Sequence, residues 1–457
     1  MFFKQFYDEK LAQTSYMIGC QKTKEAMIID PKRVLDEYDT VAKTEGFTIT
    51  HATETHIHAD FASGLRDAAR RFGAQLFVSD EGDENWKYEQ VPANTVFLKD
   101  GDIIHIGYIE LQVIHTPGHT PESISFVLTD RGGGSDEPMG IFTGDFLFVG
   151  DVGRPDLLEE AANLKGTTEQ GANAMFDSLE KLANYPDFLQ IWPGHGAGSA
   201  CGKSLGAVPL STLGYERKNN WALQINDRQT FIQELTKDQP EPPLYFAQMK
   251  KVNKEGLPLF RSKDIKIDTP KQLTGQIFDL RSKEQFRQGF KKGAINIPYN
   301  KKFLSFAGWY IDYDQSLTVI ADTDILEALQ KDLASIGFDD LQLIVPADQA
   351  TKYVDDTYES IAAKDFSHTY EGKQILDVRT TGEFNAGNLG EVTHIHFGQL
   401  LKGNLPFTDP TEPIYVHCQS GVRSAIAMSV LKARGLDHII NVDSGYNGIK
   451  AAMNEWI

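Results

Sequence analysis

The sequence predicts an α/β protein built from several domains. Its 457 residues exceed what one hydrophobic core usually serves, so two or three domains are expected. Short apolar runs that suit strands alternate with helix-like segments in the first half, and two later segments repeat each other weakly. Because 41% of the residues are hydrophobic, each domain has enough apolar side chains to bury a core.

The charge balance excludes several classes of partner. The chain has 64 acidic and 45 basic side chains and a net charge of −19. Since Lys and Arg must neutralise phosphates, we expect neither nucleic acid nor an anionic membrane as a partner. We find no apolar run near the ~18 residues of a membrane span and no signal-peptide core. With only three scattered cysteines, we expect a cytoplasmic protein with reduced thiols. We also expect a homo-oligomer.

The early elements are a hairpin, a helix and further strands. Residues 16–20 and 26–30 are apolar runs that flank a polar turn, which is typical of a β-hairpin. Residues 34–44 suit a helix, and strands are expected at 77–79 and 111–114. Strands alternating with helices in this way predict a sheet with helices packed on it.

Prolines mark the end of the first domain. Asp238 to Pro243 contains three prolines and is followed by a Lys-rich stretch with further Gly and Pro. Prolines this dense stop a helix. We therefore predict a first domain over residues 1–240 and a linker over residues 241–260.

The remaining chain contains two copies of a small α/β unit. Residues 277–281, with sequence Ile-Phe-Asp-Leu-Arg, recur as Ile-Leu-Asp-Val-Arg at residues 375–379. The spacing of about 98 residues fits one small domain apiece. A strand and an amphipathic helix follow in each copy. We predict domains over residues 261–352 and 353–457.

A cluster of metal-binding residue types follows the strand-like runs of the first domain. His56, His58 and Asp60 come directly after one apolar run. His115, Asp145 and His195 each follow another such run. Because strand ends of one sheet lie close together, these side chains predict a metal site assembled from four strand ends.

The order of these motifs resembles the metallo-β-lactamase superfamily, which implies an N-terminal αββα sandwich. That superfamily hosts zinc hydrolases and iron oxygenases, so the fold alone does not decide the activity. Dinuclear hydrolases of the superfamily have a second His after the Asp of the first motif. This sequence has Phe61 there, and a phenyl ring cannot bind a metal, so we expect one metal ion.

The mononuclear members that the first domain resembles are the persulfide dioxygenases. The resemblance implies one Fe(II) per chain, bound by His56, His115 and Asp145. His58, Asp60 and His195 would then orient those ligands. Those three residues are also able to complete a zinc site, as in glyoxalase-II-like hydrolases.

Other polar residues near these motifs have less defined roles. His105 and His119 are expected to be structural. Residues 153–156, Gly-Arg-Pro-Asp, resemble a Gly-Arg-x-Asp stretch of the dioxygenases, and an ion pair within the loop explains them equally well. Cys201 lies in a glycine-rich loop after His195. The resemblance to dioxygenase–rhodanese fusions implies that its thiol handles a persulfide, whereas the residues alone favour an idle cysteine.

The second copy carries a nucleophile at a strand-to-helix turn. The turn has the sequence Cys418, Gln419, Ser420, Gly421, Val422, Arg423. The positive end of the following helix favours the thiolate of Cys418. Gly421 permits a positive φ, and Arg423 offers a two-pronged donor for an oxyanion. The two copies resemble the rhodanese (sulfurtransferase) family.

The first copy lacks this turn. The chain reads Asp322-Thr323-Asp324 there, without a thiol, a glycine or an arginine. We therefore predict that the first copy is an inactive rhodanese-like domain.

Taken whole, the chain resembles bacterial persulfide dioxygenase–sulfurtransferase fusions of sulfide detoxification. This implies that a low-molecular-weight thiol persulfide reacts with O₂ at Fe(II) to give sulfite and thiol. Cys418 would then pass a second sulfane sulfur to sulfite, forming thiosulfate. The thiol candidates are coenzyme A, bacillithiol and glutathione. Two alternatives stay open: a zinc thioester hydrolase of the glyoxalase II type, and a non-enzymatic sulfur carrier or scaffold.

Overall fold

The structure is a computed structural model that describes residues 1–157, 159, 166–203, 205–403, 405–407 and 412–454. It divides into two compact units. One unit comprises Met1–Arg261 with Lys331–Gly337, and the other comprises Ser262–Gln330 with Phe338–Ile457. Across the described residues, helices long and apolar enough to cross a bilayer are absent.

The first unit is built from two sheets and the helices that cover them. Its strands are β1 (Phe2–Asp8), β2 (Gln13–Gly19), β3 (Glu25–Ile29), β4 (Thr48–Thr53), β5 (Gln75–Ser79), β6 (Val96–Leu98), β7 (Ile103–Ile106), β8 (Ile109–His115), β9 (Ile124–Asp130), β10 (Gly140–Gly144), β11 (Gln190–Pro193) and β12 (Ser211–Thr212). Its helices are α1 (Asp36–Glu45), α2 (Leu65–Phe72), α3 (Thr167–Glu180), α4 (Leu213–Asn219), α5 (Trp221–Gln224), α6 (Arg228–Thr236) and α7 (Phe246–Glu255).

The two sheets follow the chain in order. The first has strand order β1-β2-β3-β4-β5-β6, antiparallel from β1 to β3 and parallel from β3 to β6. The second has the order β12-β11-β10-β9-β8-β7 and is antiparallel except for the pair β10 and β11. The predicted hairpin corresponds to β2 and β3, which are antiparallel and are connected by residues 20–24.

Alternating side chains place the sheets between helices. On β3, Met27 packs in the core between the sheets, whereas its neighbour Ile28 packs against Tyr38 and Leu65 of the helices. On β10, Phe142 faces the same central core, while Ile141 packs with residues of α3 and α6. Successive residues of a strand point to opposite faces, so one apolar run serves two cores. This layering is the αββα sandwich implied by the resemblance.

The segment predicted as a linker differs from that prediction. Within residues 241–260 the chain forms α7, whose Phe246, Met249 and Asn253 are buried. The prolines at 240, 242 and 243 precede this helix, a region where proline is tolerated. The apolar side chains of α7 gain burial on the first unit, and residues up to Arg261 belong to that unit.

The second unit contains two parallel sheets. Its strands are β13 (Lys266–Ile267), β14 (Gln276–Asp279), β15 (Ile295–Asn296), β16 (Leu317–Ala321), β17 (Leu341–Pro346), β18 (Glu359–Ala362), β19 (Gln374–Asp377), β20 (Thr393–His394), β21 (Ile414–His417) and β22 (Ile439–Asp443). The helices are α8 (Lys283–Gln288), α9 (Phe303–Ala307), α10 (Leu326–Ser335, divided between the units), α11 (Ala363–Ser367), α12 (Thr381–Asn385), α13 (Arg423–Ala433) and α14 (Gly445–Asn454).

The two sheets have the same topology. Their strand orders are β13-β17-β16-β14-β15 and β18-β22-β21-β19-β20, so each strand has a counterpart in the other copy. The repeated Asp-x-Arg sequence forms the same ion pair twice, between Arg281 and Asp279 and between Arg379 and Asp377. A capping box then starts the next helix in both copies. The weak sequence repeat therefore reflects a repeated structure.

Candidate metal centre and sulfur-transfer loop

The first motif is held in place by an aspartate from the neighbouring strand. Asp30 follows β3 and has a φ of 51°. Its Oδ1 accepts a hydrogen bond from the backbone N–H of Thr55 at 2.7 Å, and Oδ2 accepts from the Thr55 hydroxyl at 3.0 Å. These bonds anchor the turn that leaves β4 just before His56. Sequence reasoning missed Asp30, and its place at the end of a strand beside the motif strand was the available signal.

His56, His119 and Asp145 form a buried group with metal-binding geometry. Their ligand atoms all lie within 4.8 Å of one another. Nε2 of His56 is 4.0 Å from Asp145 Oδ2, and Nε2 of His119 is 3.5 Å from the same oxygen. The other ring nitrogen of each histidine is occupied, because Nδ1 of His56 lies 3.0 Å from the Thr55 hydroxyl and Nδ1 of His119 lies 2.9 Å from the Arg154 carbonyl. Both imidazoles therefore present Nε2 towards Asp145.

His115 does not join this group, contrary to the sequence prediction. It is the last residue of β8, and its Nε2 lies 2.8 Å from the carbonyl of Pro121. Its Nδ1 faces Glu81 at 3.9 Å, near the surface. The turn after β8 reverses the chain through Gly118, where φ is 153° and a Cβ would approach Met175 at 2.7 Å. The turn brings His119 close to Asp145. His119 is expected from the sequence to be structural, but it lies in the metal-binding group.

The buried group suits a cation. Among the described residues, His56 Nε2 and both carboxylate oxygens of Asp145 are buried without a hydrogen-bond partner. A buried carboxylate without hydrogen-bond donors is costly, so a metal ion bound at these atoms removes a penalty. Burial lowers the pKa of His56 well below its ordinary value, and the imidazoles of His58 and His119 lower it further. The neutral imidazole that results is the form that binds metals.

His58 faces the anchoring aspartate instead of the metal-binding group. Its Nε2 lies 3.1 Å from Asp30 Oδ1. Burial alone would lower the pKa of His58, but the Asp30 carboxylate outweighs it and raises the pKa to about 9. Phe61, the residue in place of a second ligand, packs on the His58 ring with 4.4 Å between ring centroids.

A second buried group adjoins the first. Ligand atoms of Asp60, His195 and Cys201 lie within 4.8 Å of one another. Nε2 of His195 is 3.1 Å from Asp60 Oδ2 and 3.5 Å from Asp145 Oδ1, so His195 touches both groups. Its Nδ1 is occupied by the carbonyl of Ala12 at 2.9 Å. The motifs containing Asp60, Asp145 and His195 therefore meet at one place.

The Cys201 thiol is poorly suited to act as a thiolate. It is buried, and burial together with the nearby carboxylates of Asp145 and Asp60 raises its pKa to about 12. The loop nevertheless brings the sulfur beside the metal-binding residues, within reach of His195. The adjacent Arg154 pairs with Asp156, and it also donates to the carbonyls of Ala200 and Pro240. Residues 153–156 therefore contain the ion pair that was one of the two interpretations of this segment.

Helix α7 braces the backbone of the first motif. The Tyr245 hydroxyl donates to the carbonyl of Asp60 at 2.6 Å. The side-chain amide of Asn253 donates to the carbonyls of His58 at 2.8 Å and Phe61 at 2.7 Å. Residues 241–260, predicted as a linker from their prolines, therefore support the loop that carries the first metal-binding motif.

Cys418 lies between β21 and α13 in the second copy of the repeat. Its side chain is buried, and the backbone N–H of Gly421 points at its sulfur over 3.1 Å. Gly421 has a φ of 86°, which a side chain would strain. Gln419 accepts a hydrogen bond from Arg379 at 3.0 Å, while Ser420 and Val422 are exposed. The turn thus directs the backbone N–H of Gly421 towards a thiol at the start of a helix.

Arg423, predicted to offer its guanidinium to an oxyanion, is paired with a carboxylate in the structure. Its two terminal nitrogens donate to the two carboxylate oxygens of Glu383, each at 2.7 Å. Burial opposes ionisation of Glu383, but hydrogen bonds from Arg423 and Thr380 lower the pKa of this carboxyl to about 2. The pair is therefore charged at neutral pH. In the first copy the corresponding turn holds Asp322, Thr323 and Asp324, and these residues provide no thiol.

Comparisons with known proteins agree with both halves. Residues 9–195 match the family model of the metallo-beta-lactamase superfamily, and residues 362–452 match that of the rhodanese-like domain. A solved structure described as a metallo-beta-lactamase from Staphylococcus aureus subsp. aureus COL is 52% identical, with a TM-score of 0.70. The similarity covers 76% of this chain and 99% of that one.

Two of the similar proteins have named activities. The mitochondrial persulfide dioxygenase ETHE1 of Bos taurus is 30% identical over 200 residues, which cover 42% of this chain and 67% of that protein. A hydroxyacylglutathione hydrolase of Rhodospirillum rubrum is 29% identical over 180 residues, covering 39% of this chain and 60% of that protein. The chain spans about half to two thirds of the length of the curated relatives it matches.

The order of metal-binding motifs, the αββα layers and these matches lead to the same assignment. The chain belongs to the metallo-beta-lactamase superfamily, has persulfide dioxygenases of the ETHE1 type among its homologues, and carries a C-terminal rhodanese-like domain.

Proposed function

We propose that the first unit oxidises a low-molecular-weight thiol persulfide with O₂, using one Fe(II) ion held by His56, His119 and Asp145. The observation that carries this proposal is the buried group of two imidazoles and one carboxylate within 4.8 Å of one another. Two histidines and one carboxylate leave coordination positions open, as is typical of non-haem iron oxygenases. The similarity to ETHE1 of Bos taurus supports the same chemistry.

The protein's part in this reaction is to orient ligands and exclude water. Bound at these residues, Fe(II) would supply the redox chemistry by which O₂ reacts with sulfur. The Thr55 hydroxyl and the Arg154 carbonyl hold the two imidazoles in the required orientation. Burial of His56, His119 and Asp145 keeps bulk water from the site.

The overall reaction balances with water as the third reactant. One persulfide, one O₂ and one water yield one thiol and one sulfurous acid, which ionises to sulfite. The sulfur–sulfur bond breaks, and the outer sulfur ends bonded to three oxygen atoms, one of them from water. The sulfur is oxidised by four electrons, and O₂ accepts them.

In this proposal Cys201 contacts the sulfur of the bound persulfide and does not act as a nucleophile. Its thiol lies beside Asp60 and His195, and burial together with the nearby carboxylates raises the pKa of Cys201, which favours the protonated thiol. A protonated thiol is a weak nucleophile. It is still a soft, polarisable neighbour for a persulfide chain.

We further propose that Cys418 transfers a sulfane sulfur to sulfite. The Cys418 thiolate attacks the outer sulfur of a second persulfide, and the thiolate of the small carrier leaves. The lone pair of sulfite then attacks the outer sulfur on Cys418, the sulfur–sulfur bond breaks, and Cys418 leaves as a thiolate. The product is thiosulfate. The N–H of Gly421, 3.1 Å from the sulfur, supports the anionic states of this cycle.

A zinc-dependent thioester hydrolase is the second candidate. The group of Asp60, His195 and Cys201 beside Asp145 favours it, because these atoms are suited to a second metal ion despite Phe61. The similarity to a hydroxyacylglutathione hydrolase of Rhodospirillum rubrum supports the same alternative.

Metal content and oxygen uptake distinguish the candidates. Protein purified anaerobically should contain one iron per chain. Persulfide should drive O₂ uptake, and sulfite and thiosulfate together should form in an amount equal to the O₂ consumed. Two zinc ions per chain with thioester hydrolysis and no O₂ uptake would contradict the oxygenase. A protein without bound metal and without either activity would instead support a sulfur carrier or scaffold.

A further inference from the structure

Helix α8 of the copy without a cysteine contacts the sulfur-transfer loop of the other copy. Lys283, the first residue of α8, places Nζ 3.5 Å from the carbonyl oxygen of Gly421. Arg287, one turn further along, lies 3.6 Å from Asp443. Residues four apart share a helix face, so this face of α8 presents two cations to the second copy.

The other cations at the loop are committed to carboxylates. Arg423 makes a two-pronged ion pair with Glu383, and Arg379 makes a buried one with Asp377. Lys283 has a looser carboxylate contact, 3.9 Å from Glu284, and its side chain is 39% exposed. Its ammonium group is therefore able to approach an anion that lies beside Gly421.

The transfer reaction needs such a charge. Sulfite and thiosulfate are dianions, and a persulfide on Cys418 is itself anionic once deprotonated. Two anions repel each other at short range, most strongly where water is partly excluded. A nearby ammonium group offsets that repulsion and offers a charge-assisted hydrogen bond to an oxyanion.

We infer that Lys283, from the copy without a cysteine, binds the small sulfur oxyanion that reacts at Cys418. The inference rests on the proposed sulfur transfer at Cys418. The copy without a cysteine then has a function, because it completes the binding site of the copy that carries Cys418. The Gly421 carbonyl holds the ammonium group beside the loop until an oxyanion arrives.

The test is thiosulfate:cyanide sulfurtransferase kinetics on full-length protein. Lys283→Ala and Lys283→Gln should raise the KM for thiosulfate by about tenfold, since a charge-assisted contact is lost. The turnover number should change much less, and Lys283→Arg should restore the KM. The salt dependence of kcat/KM should also weaken in both neutral variants.

Lys292→Ala is the matched control. Lys292 also connects the two copies, through Asp437 at 2.6 Å, but on residues outside the Cys418 loop. The KM of Lys292→Ala for thiosulfate should stay unchanged. This control distinguishes loss of the Lys283 charge at the Cys418 loop from a general loosening of the contact between the two copies. An unchanged KM and salt dependence in Lys283→Ala and Lys283→Gln would overturn the inference. Cys418→Ser, assayed in parallel, tests the proposed function separately: if it kept normal activity, transfer at Cys418 would be wrong.

Discussion

The side-chain amide of Asn253 donates a hydrogen bond to the backbone carbonyl of His58 over 2.8 Å. The same amide group donates to Phe61, and its oxygen accepts from the N–H of Ser63 at 2.9 Å. One buried side chain from α7 therefore satisfies three backbone groups of the loop that carries Asp60. The loop is short of local partners of its own, so its conformation depends on a helix almost 200 residues away in sequence.

Replacing Asn253 by Ala should loosen this loop. Three backbone groups, two of them buried, would lose their partner, and we expect a cost of about 3 kcal/mol in local stability. Hydrogen exchange of residues 54–63 should quicken, and iron content should fall. Asn219→Ala is the control, because Asn219 is exposed and bonds only within its own helix. Unaltered exchange in Asn253→Ala would show that the loop is held by other contacts.

His115 at the end of β8 and His119 in the turn that follows should behave differently. His119→Ala should reduce iron affinity by at least about 100-fold, because even partners of a ligand contribute 10–100-fold. His115→Ala should keep its iron and most of its oxygen uptake, since that imidazole bonds to Pro121 near the surface. Iron per chain after anaerobic purification measures both. Equal loss of iron from the two variants would contradict the assignment of His119.

Cys418→Ser should separate the two proposed activities. Serine keeps the side-chain volume nearly unchanged but removes the soft nucleophile. Thiosulfate formation and thiosulfate:cyanide transfer should be abolished, while iron content and persulfide-dependent oxygen uptake persist and sulfite accumulates. Cys201→Ser should show the reverse pattern, with slower persulfide oxidation and normal thiosulfate:cyanide transfer. Oxygen, sulfite and thiosulfate should be measured together for each variant.

The ion pair between Glu383 and Arg423 should make the transfer loop sensitive to acid. The folded pKa of Glu383 is about 2 against an ordinary 4.5, so its stabilisation is complete above pH ~4.5 and declines as the pH falls towards 2. Since the pair is partly exposed, we expect it to stabilise the fold by only about 1 kcal/mol. Loss of the pair should then speed hydrogen exchange of α12 and the start of α13 roughly fivefold.

At pH 7, hydrogen exchange of α12 and the start of α13 should be roughly fivefold faster in Glu383→Gln than in the unaltered protein. At pH 3 the difference between the two proteins should be smaller. Glu359→Gln, at an exposed position in the same copy, should match the unaltered protein at both values. A difference that stayed constant with pH would mean that packing, and not charge, explains the effect.

The sequence alone determined what is encoded locally. The Cys418 turn, the apolar runs and the repeated Asp-x-Arg segment are short patterns whose geometry follows from neighbouring residues, and each appears as an element of the structure. The order of the motifs was also sufficient for the superfamily, because the αββα fold places strand ends together.

Only the tertiary structure decided matters that join distant parts of the chain. Whether His115 or His119 reaches Asp145 depends on how the turn packs on Met175, which lies on α3. The prolines before α7 are a local signal for a break, but burial against the first unit makes the following segment a helix. Arg423 is paired with Glu383, 40 residues earlier, a contact that its place in the loop does not predict. Long-range contacts of this kind depend on the three-dimensional packing of elements, which local residue patterns do not specify.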